Sequence, residues 1–90
     1  MFISNNTYQT MSVATKSLED PYFREDVLNA WERFEAHDWG NTCAEDWKLN
    51  DASLVTNDRI VAYYETCYKP IFIIKDAYDD VTTILFTDED

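Results

Sequence analysis

Glycine is almost missing: Gly40 is the one glycine in 90 residues. No glycine-rich phosphate loop can be built from such a chain, so neither a P-loop nor a G-x-G-x-x-G dinucleotide turn is present. Two prolines, Pro21 and Pro70, leave little room for stiff linkers. Two cysteines, Cys43 and Cys67, are too few for a disulfide scaffold, and such thiols fit a reducing compartment. Bases are scarce, seven Lys and Arg against 18 Asp and Glu, for a net charge of −11. The few bases are scattered singly, which removes the footprint of a nucleic-acid binder. The negative field repels nucleic acid and anionic membrane alike. No apolar run approaches the ~20 residues needed to cross a bilayer. The first twenty residues lack the basic start and apolar core of a secretory signal. These absences predict a cytoplasmic protein that touches neither nucleic acid nor membrane directly.

What the chain does have is aromatic weight. Hydrophobic residues make up 46% and aromatics 16%, a load that acidic disordered chains lack. The expectation is one folded domain over 1–90, with a helical half at about 10–56 and a sheet half at about 59–87. Met11, Ala14 and Leu18 recur at i, i+3 and i+7, which predicts a short helix ended by Pro21. Phe23, Val27, Ala30, Trp31 and Phe34 form the apolar stripe of a long helix over 22–37. Gly40 is expected to stop it in a left-handed conformation. Thr42-Cys43-Ala44-Glu45 has the form of a capping box and predicts a further helix from Cys43 to about Leu54. Asn50 and Asp51 are unusual residues for its interior.

From Arg59 the period changes to two. Residues 59–68, 71–75 and 81–86 read as strands joined by short turns, hence an antiparallel meander. Met1 to Tyr8 suits a short edge strand or a frayed end. The predicted fold class is α+β, two to three helices packed on a three-stranded antiparallel sheet.

Chemistry-bearing residues concentrate in His37–Asp51. His37, Asp38 and Cys43, with Cys67 folded back from the end of a strand, are candidate ligands for one zinc ion. Beside that stands a plainer reading, a helix-end histidine and two small buried thiols. Cys43 and His37 also suggest a nucleophile and base. A Cys–His pair needs an oriented base and an oxyanion hole, and a chain with one glycine offers no scaffold for them, so no enzymatic activity is expected. The acids form three groups: Glu19, Asp20, Glu25 and Asp26 near the start of the long helix, Asp76, Asp79 and Asp80 in a turn, and Asp88, Glu89 and Asp90 in the tail. Each is a candidate partner-binding surface. The last two groups are expected at opposite ends of the third strand.

Asp38-Trp39-Gly40-Asn41, Glu45-Asp46, Asn50-Asp51, Ala62-Tyr63, Ile71-Phe72-Ile73-Ile74 and Val81-Thr82-Thr83-Ile84-Leu85 together resemble a family of short proteins carried by phages, plasmids and integrative elements. The likeness covers roughly residues 26–88. Three places depart from the family pattern. His37 stands where a glycine is usual, Tyr68-Lys69-Pro70 replaces a glycine-containing hairpin, and Tyr78-Asp79-Asp80 replaces a turn that carries a base. Such genes travel with counter-defence genes, so the resemblance implies a host-interaction role of the anti-CRISPR or anti-restriction kind. The expected partner is the basic nucleic-acid-binding surface of a type II CRISPR effector nuclease. A small zinc-stabilised structural or regulatory domain without a counter-defence role is the alternative.

Overall fold

The computed structural model describes residues 2–4, 6–77 and 80–90, and the side chains of 2–4 are not described. Asp79, assigned above to the partner surface, and its neighbour Tyr78 lie outside the described residues. The order of elements is β1 (Phe2–Ser4), β2 (Thr7–Gln9), α1 (Met11–Glu19), α2 (Pro21–Glu35), α3 (Ala44–Thr56), β3 (Ile60–Tyr64), β4 (Ile71–Lys75), β5 (Thr82–Phe86) and a 3₁₀ turn, Thr87–Glu89. The class is α+β, as the sequence predicts.

The expected meander is present. β3 pairs antiparallel with β4, and β4 with β5. The sheet is larger than predicted, though: five strands in the order β1-β2-β5-β4-β3. β2 joins parallel to β5, with Thr7, Tyr8 and Gln9 opposite Thr82, Thr83 and Ile84. Three residues give too little alternation to show this in sequence, and a parallel partner distant in sequence leaves no local signal. β3 is shorter than the predicted 59–68. The Thr66 hydroxyl donates to the Lys69 carbonyl and accepts from the Tyr68 N–H at 3.1 Å, so a side-chain turn replaces the ladder.

The boundary between α1 and α2 follows from one residue. Asp20 closes α1, and its carboxylate accepts from the N–H groups of Tyr22 (3.0 Å) and Phe23 (3.3 Å) to open α2, with Pro21 at the first helical position. Of the α1 stripe predicted from Met11, Ala14 and Leu18, Ala14 is buried as expected and the other two are displaced. Both are exposed, and Val13, Ala14 and Ser17 face inward. Small side chains there let α1 approach α2 and β5 closely. The α2 stripe is as predicted, with Phe23, Val27, Ala30 and Phe34 buried and Trp31 packed at the margin.

Gly40 does not stop α2. His37 does, at φ 62°. The His37 N–H donates to Phe34 (3.0 Å) and the Asp38 N–H to Arg33 (2.8 Å), the paired bonds of a Schellman motif. Histidine is among the few side chains that enter the left-handed region readily. The capping box is also absent: Cys43 is the N-cap of α3 and makes no side-chain cap bond. The Thr42 hydroxyl is engaged elsewhere. α3 carries little apolar contact, and Asn50 is its one buried residue. Ala44 and Leu54 are exposed, and Trp47 alone of its large apolar residues packs against the core. That core joins Val13, Phe23, Val27, Ala30, Phe34 and Trp39 to Ile60, Ala62, Tyr64, Ile71, Ile73, Ile84 and Phe86.

Candidate functional site

The segment between α2 and α3 runs along the outer edge of β3. In an antiparallel pair alternate residues bond to the neighbouring strand and the others point outward. β3 bonds inward to β4, which leaves Val61, Tyr63 and Glu65 facing out, and all three are engaged. Asn50 donates to the Val61 carbonyl at 2.9 Å and accepts its N–H at 3.3 Å. The Tyr63 N–H donates to the Thr42 hydroxyl at 2.8 Å, and the Tyr63 carbonyl accepts the Asn41 N–H at 2.9 Å. The Glu65 N–H donates to the Asn41 side chain at 3.0 Å. Gly40 forms a parallel bridge to Tyr63. A side chain at Gly40 would overlap the Tyr64 ring.

A second layer fixes this segment in turn. Asp38 accepts from Arg33 at 3.1 Å and from the Gly40 N–H at 3.0 Å. Arg33 and the Gly40 amide hold its carboxyl below the usual range. The Tyr64 hydroxyl donates to the Asp38 carbonyl at 2.7 Å, and burial, then the Asp38 charge, pushes this phenol up. Trp39 is fully buried, and its indole N–H donates to Asp51 at 2.8 Å. The Thr42 hydroxyl donates to the Trp39 carbonyl. Thus Asn50 and Asp51, odd choices for a helix interior, fasten α3 to the edge strand and to Trp39.

The four candidate zinc ligands are placed separately. His37 is exposed at the end of α2 and stacks on Trp39, with ring centroids 5.7 Å apart. Asp38 is committed to Arg33 and Gly40. Cys43 is exposed at the start of α3. Cys67 lies in the β3–β4 loop, its N–H donating to Asp26 at 2.8 Å. Asp26 and the last residue of α2, Glu35, are nine residues apart, roughly 14 Å at the rise of a helix, and His37 lies just past that end. Among the described residues no group of three or more His, Cys, Asp or Glu is placed to hold a metal ion. Neither thiol is buried, which corrects the plainer reading of both cysteines. Local desolvation and Asp26 hold the Cys67 thiol above its ordinary range.

Two ends of the sheet carry the acids. At one end Phe23, Tyr68 and Phe86 meet, with the ring centroids of Phe23 and Tyr68 6.0 Å apart and those of Tyr68 and Phe86 5.8 Å apart. Lys16 lies 4.3 Å from the centre of the Tyr68 ring and pairs with Asp20 at 3.8 Å. Lys69 pairs with Asp88 at 3.4 Å, and Asp88 raises its pKa. Glu89 accepts from the Thr10 hydroxyl at 3.0 Å and the Phe86 N–H at 2.8 Å, which ties the tail to α1. A cleft of about 520 Å³ runs between Lys16, Glu19, Tyr68, Lys69, Asp88 and Glu89. Glu19, Asp20 and Asp26 therefore share this end with Asp88 and Glu89, with exposed Glu25 and Asp90 next to them in sequence. At the other end Asp76 follows β4, and Asp80 pairs with Lys75 at 3.2 Å. A second cleft, about 450 Å³, opens there between His37, Trp39, Asn57, Lys75 and Asp80.

No helix among the described residues is long and apolar enough to cross a membrane. Comparison with protein-family models, with curated proteins and with solved structures finds no match to this chain.

Proposed function

We propose that the protein is an acidic, non-catalytic inhibitor of phage or mobile-element origin. It covers a basic surface of a type II CRISPR effector nuclease and blocks nucleic-acid loading or activation. The observation that carries this reading is the convergence of acids from opposite parts of the sequence. Glu19, Asp20 and Asp26 meet Asp88 and Glu89 around the Tyr68 end of a chain with net charge −11. Carboxylates held on a rigid scaffold take the place of phosphates opposite lysine and arginine, and such complementarity steers encounter and excludes the competing polyanion. The nuclease identity comes from the family likeness of the Asp38–Asn41 and Val81–Leu85 stretches.

The test is capture of purified type II effector nuclease, with and without guide RNA, and inhibition of its DNA cleavage. Asp20 caps a helix and Glu89 ties down the tail, so neutralising them would disturb the fold. Glu19→Gln, Glu25→Gln and Asp90→Asn change exposed carboxylates outside the bonds described above. The triple variant is expected to keep its melting temperature, weaken nuclease binding about tenfold or more, and flatten its salt dependence. Absence of nuclease binding by the native chain would reject the reading.

A further inference from the structure

The sheet has two faces, and the helices use one of them. Ile60, Ala62, Tyr64, Ile71, Ile73, Ile84 and Phe86 join the helical residues in the core. The alternate strand residues point the other way. The register sets these in two rows, Val61 beside Ile74 beside Thr83, and Tyr63 beside Phe72 beside Leu85. Ile74, the middle residue of the first row, is only 7% exposed and stands apart from the cluster that joins the sheet to the helices. The Tyr63 and Phe72 rings meet edge to face at 5.9 Å. Val61, Tyr63, Phe72, Thr83 and Leu85 are half-buried. An antiparallel sheet with one wet face normally carries polar residues there. In a chain that is 28% charged, these six positions hold no charge, and Thr83 is the one residue among them outside the hydrophobic set.

A second copy is a poor occupant. Two copies face to face would each bring a net charge of −11, and that like charge opposes their pairing. Addition of a strand beside β3 is closed off, because Asn41, Thr42 and Asn50 occupy its outward groups. The charge that borders the face is mainly negative. Exposed Glu65 and Asp76 follow the ends of β3 and β4, and the base nearby is Arg59.

We infer that this face docks a protein surface whose aliphatic or aromatic side chains are ringed by lysine and arginine. The inference rests on the reading of a basic partner above and adds the apolar half of the contact. Exposed charge pairs are screened within about 8 Å at physiological salt, whereas aromatic and aliphatic anchors excluded from water hold interfaces together.

The test maps amide shifts of the ¹⁵N-labelled full chain with two blocked synthetic peptides of equal charge, one alternating leucine with lysine and one alternating serine with lysine. The leucine peptide is expected to shift Val61, Tyr63, Phe72, Ile74, Thr83 and Leu85 and to bind at least tenfold tighter than the serine peptide. Phe72→Thr with Leu85→Thr keeps strand-forming residues. With its fold checked by thermal melting, this variant is expected to lose the tenfold gain and keep the serine-peptide affinity. Equal affinity of the two peptides, or shifts confined to 19–26 and 88–90, would overturn the inference. So would a dimer in sedimentation with the same amides responding to protein concentration. Loss of nuclease capture with this peptide map intact would reject the nuclease and support the face. Unchanged capture by the Phe72→Thr/Leu85→Thr protein would reject the face and leave the nuclease reading standing.

Discussion

The Asn50 side chain holds both outward backbone groups of Val61, accepting its N–H at 3.3 Å and donating to its carbonyl at 2.9 Å. One amide, 4% exposed, thereby imitates the strand that would otherwise add to this edge. Open edges are templates for association. Asn50→Ala leaves the Val61 groups without partners, for a loss of roughly 2–4 kcal/mol at two bonds. The denaturation midpoint should fall accordingly, and sedimentation should show more association than for the native chain. Asn50→Asp keeps the acceptor and loses the donor, so it should fall between.

Gly40 is required twice over. Its φ is 63°, and a Cβ would run into the Tyr64 ring. Gly40→Ala should cost more than the roughly 1 kcal/mol of a left-handed alanine alone, because the fully buried Tyr64 ring must also move. Combining Gly40→Ala with Tyr64→Leu should recover part of that loss. In a double-mutant cycle the two costs should sum to more than the cost of the pair. Strict additivity would show that the ring and the glycine do not press on one another.

These two contacts show where sequence and structure part. The long helix and the meander were legible because Phe23–Phe34 repeats at helical spacing and Ile71–Ile74 is a strand bounded by turns. The role of His37–Asp51 was not. Its residues bond to Val61, Tyr63 and Tyr64, and no local pattern reports a partner twenty positions away. Thr42 looked like a helix cap because cap and edge clamp need the same hydroxyl. Asn50 and Asp51 did carry a usable signal. Polar residues of low helix propensity in a helix interior are retained when their side chains have tertiary partners. The inward face of α1 was read in part: Ala14 is buried as expected, but Met11 and Leu18 were included on apolar size, and Val13 and Ser17 were what fitted there.

Alkali should loosen the fold through Tyr64. Its phenol is buried beside Asp38, and both raise its pKa above the ordinary 10. A group raised on folding contributes stability that is complete below its unfolded pKa and is lost as pH climbs toward the folded one. The native chain should therefore lose stability progressively above about pH 10. Tyr64→Phe should be less stable at neutral pH by about 1 kcal/mol, for the bond to the Asp38 carbonyl. The gap should close as pH rises. A gap constant up to pH 11 would reject the coupling. Asp38 has the opposite sign, since its lowered pKa gives stability present above the unfolded value and lost in acid. Asp38→Asn should flatten the acid limb of the stability curve below about pH 4 and leave the alkaline limb in place.

Trp39 and Asp51 test whether α3 is fastened at a point or along its length. The indole is fully buried, and its N–H has Asp51 as acceptor at 2.8 Å. Asp51 is exposed, so Asp51→Ala lets water reach that donor, for a cost of about 1 kcal/mol. Asp51→Asn keeps an acceptor and should recover most of it. Asn50 is the one buried residue of α3, so losing a polar fastener should release the helix before the sheet melts. Hydrogen exchange in Asp51→Ala should accelerate across Ala44–Thr56 while β4 and β5 stay protected. Uniform acceleration over the whole chain would mean that α3 unfolds only with the core, and that Trp47 holds it more firmly than its polar clasps do.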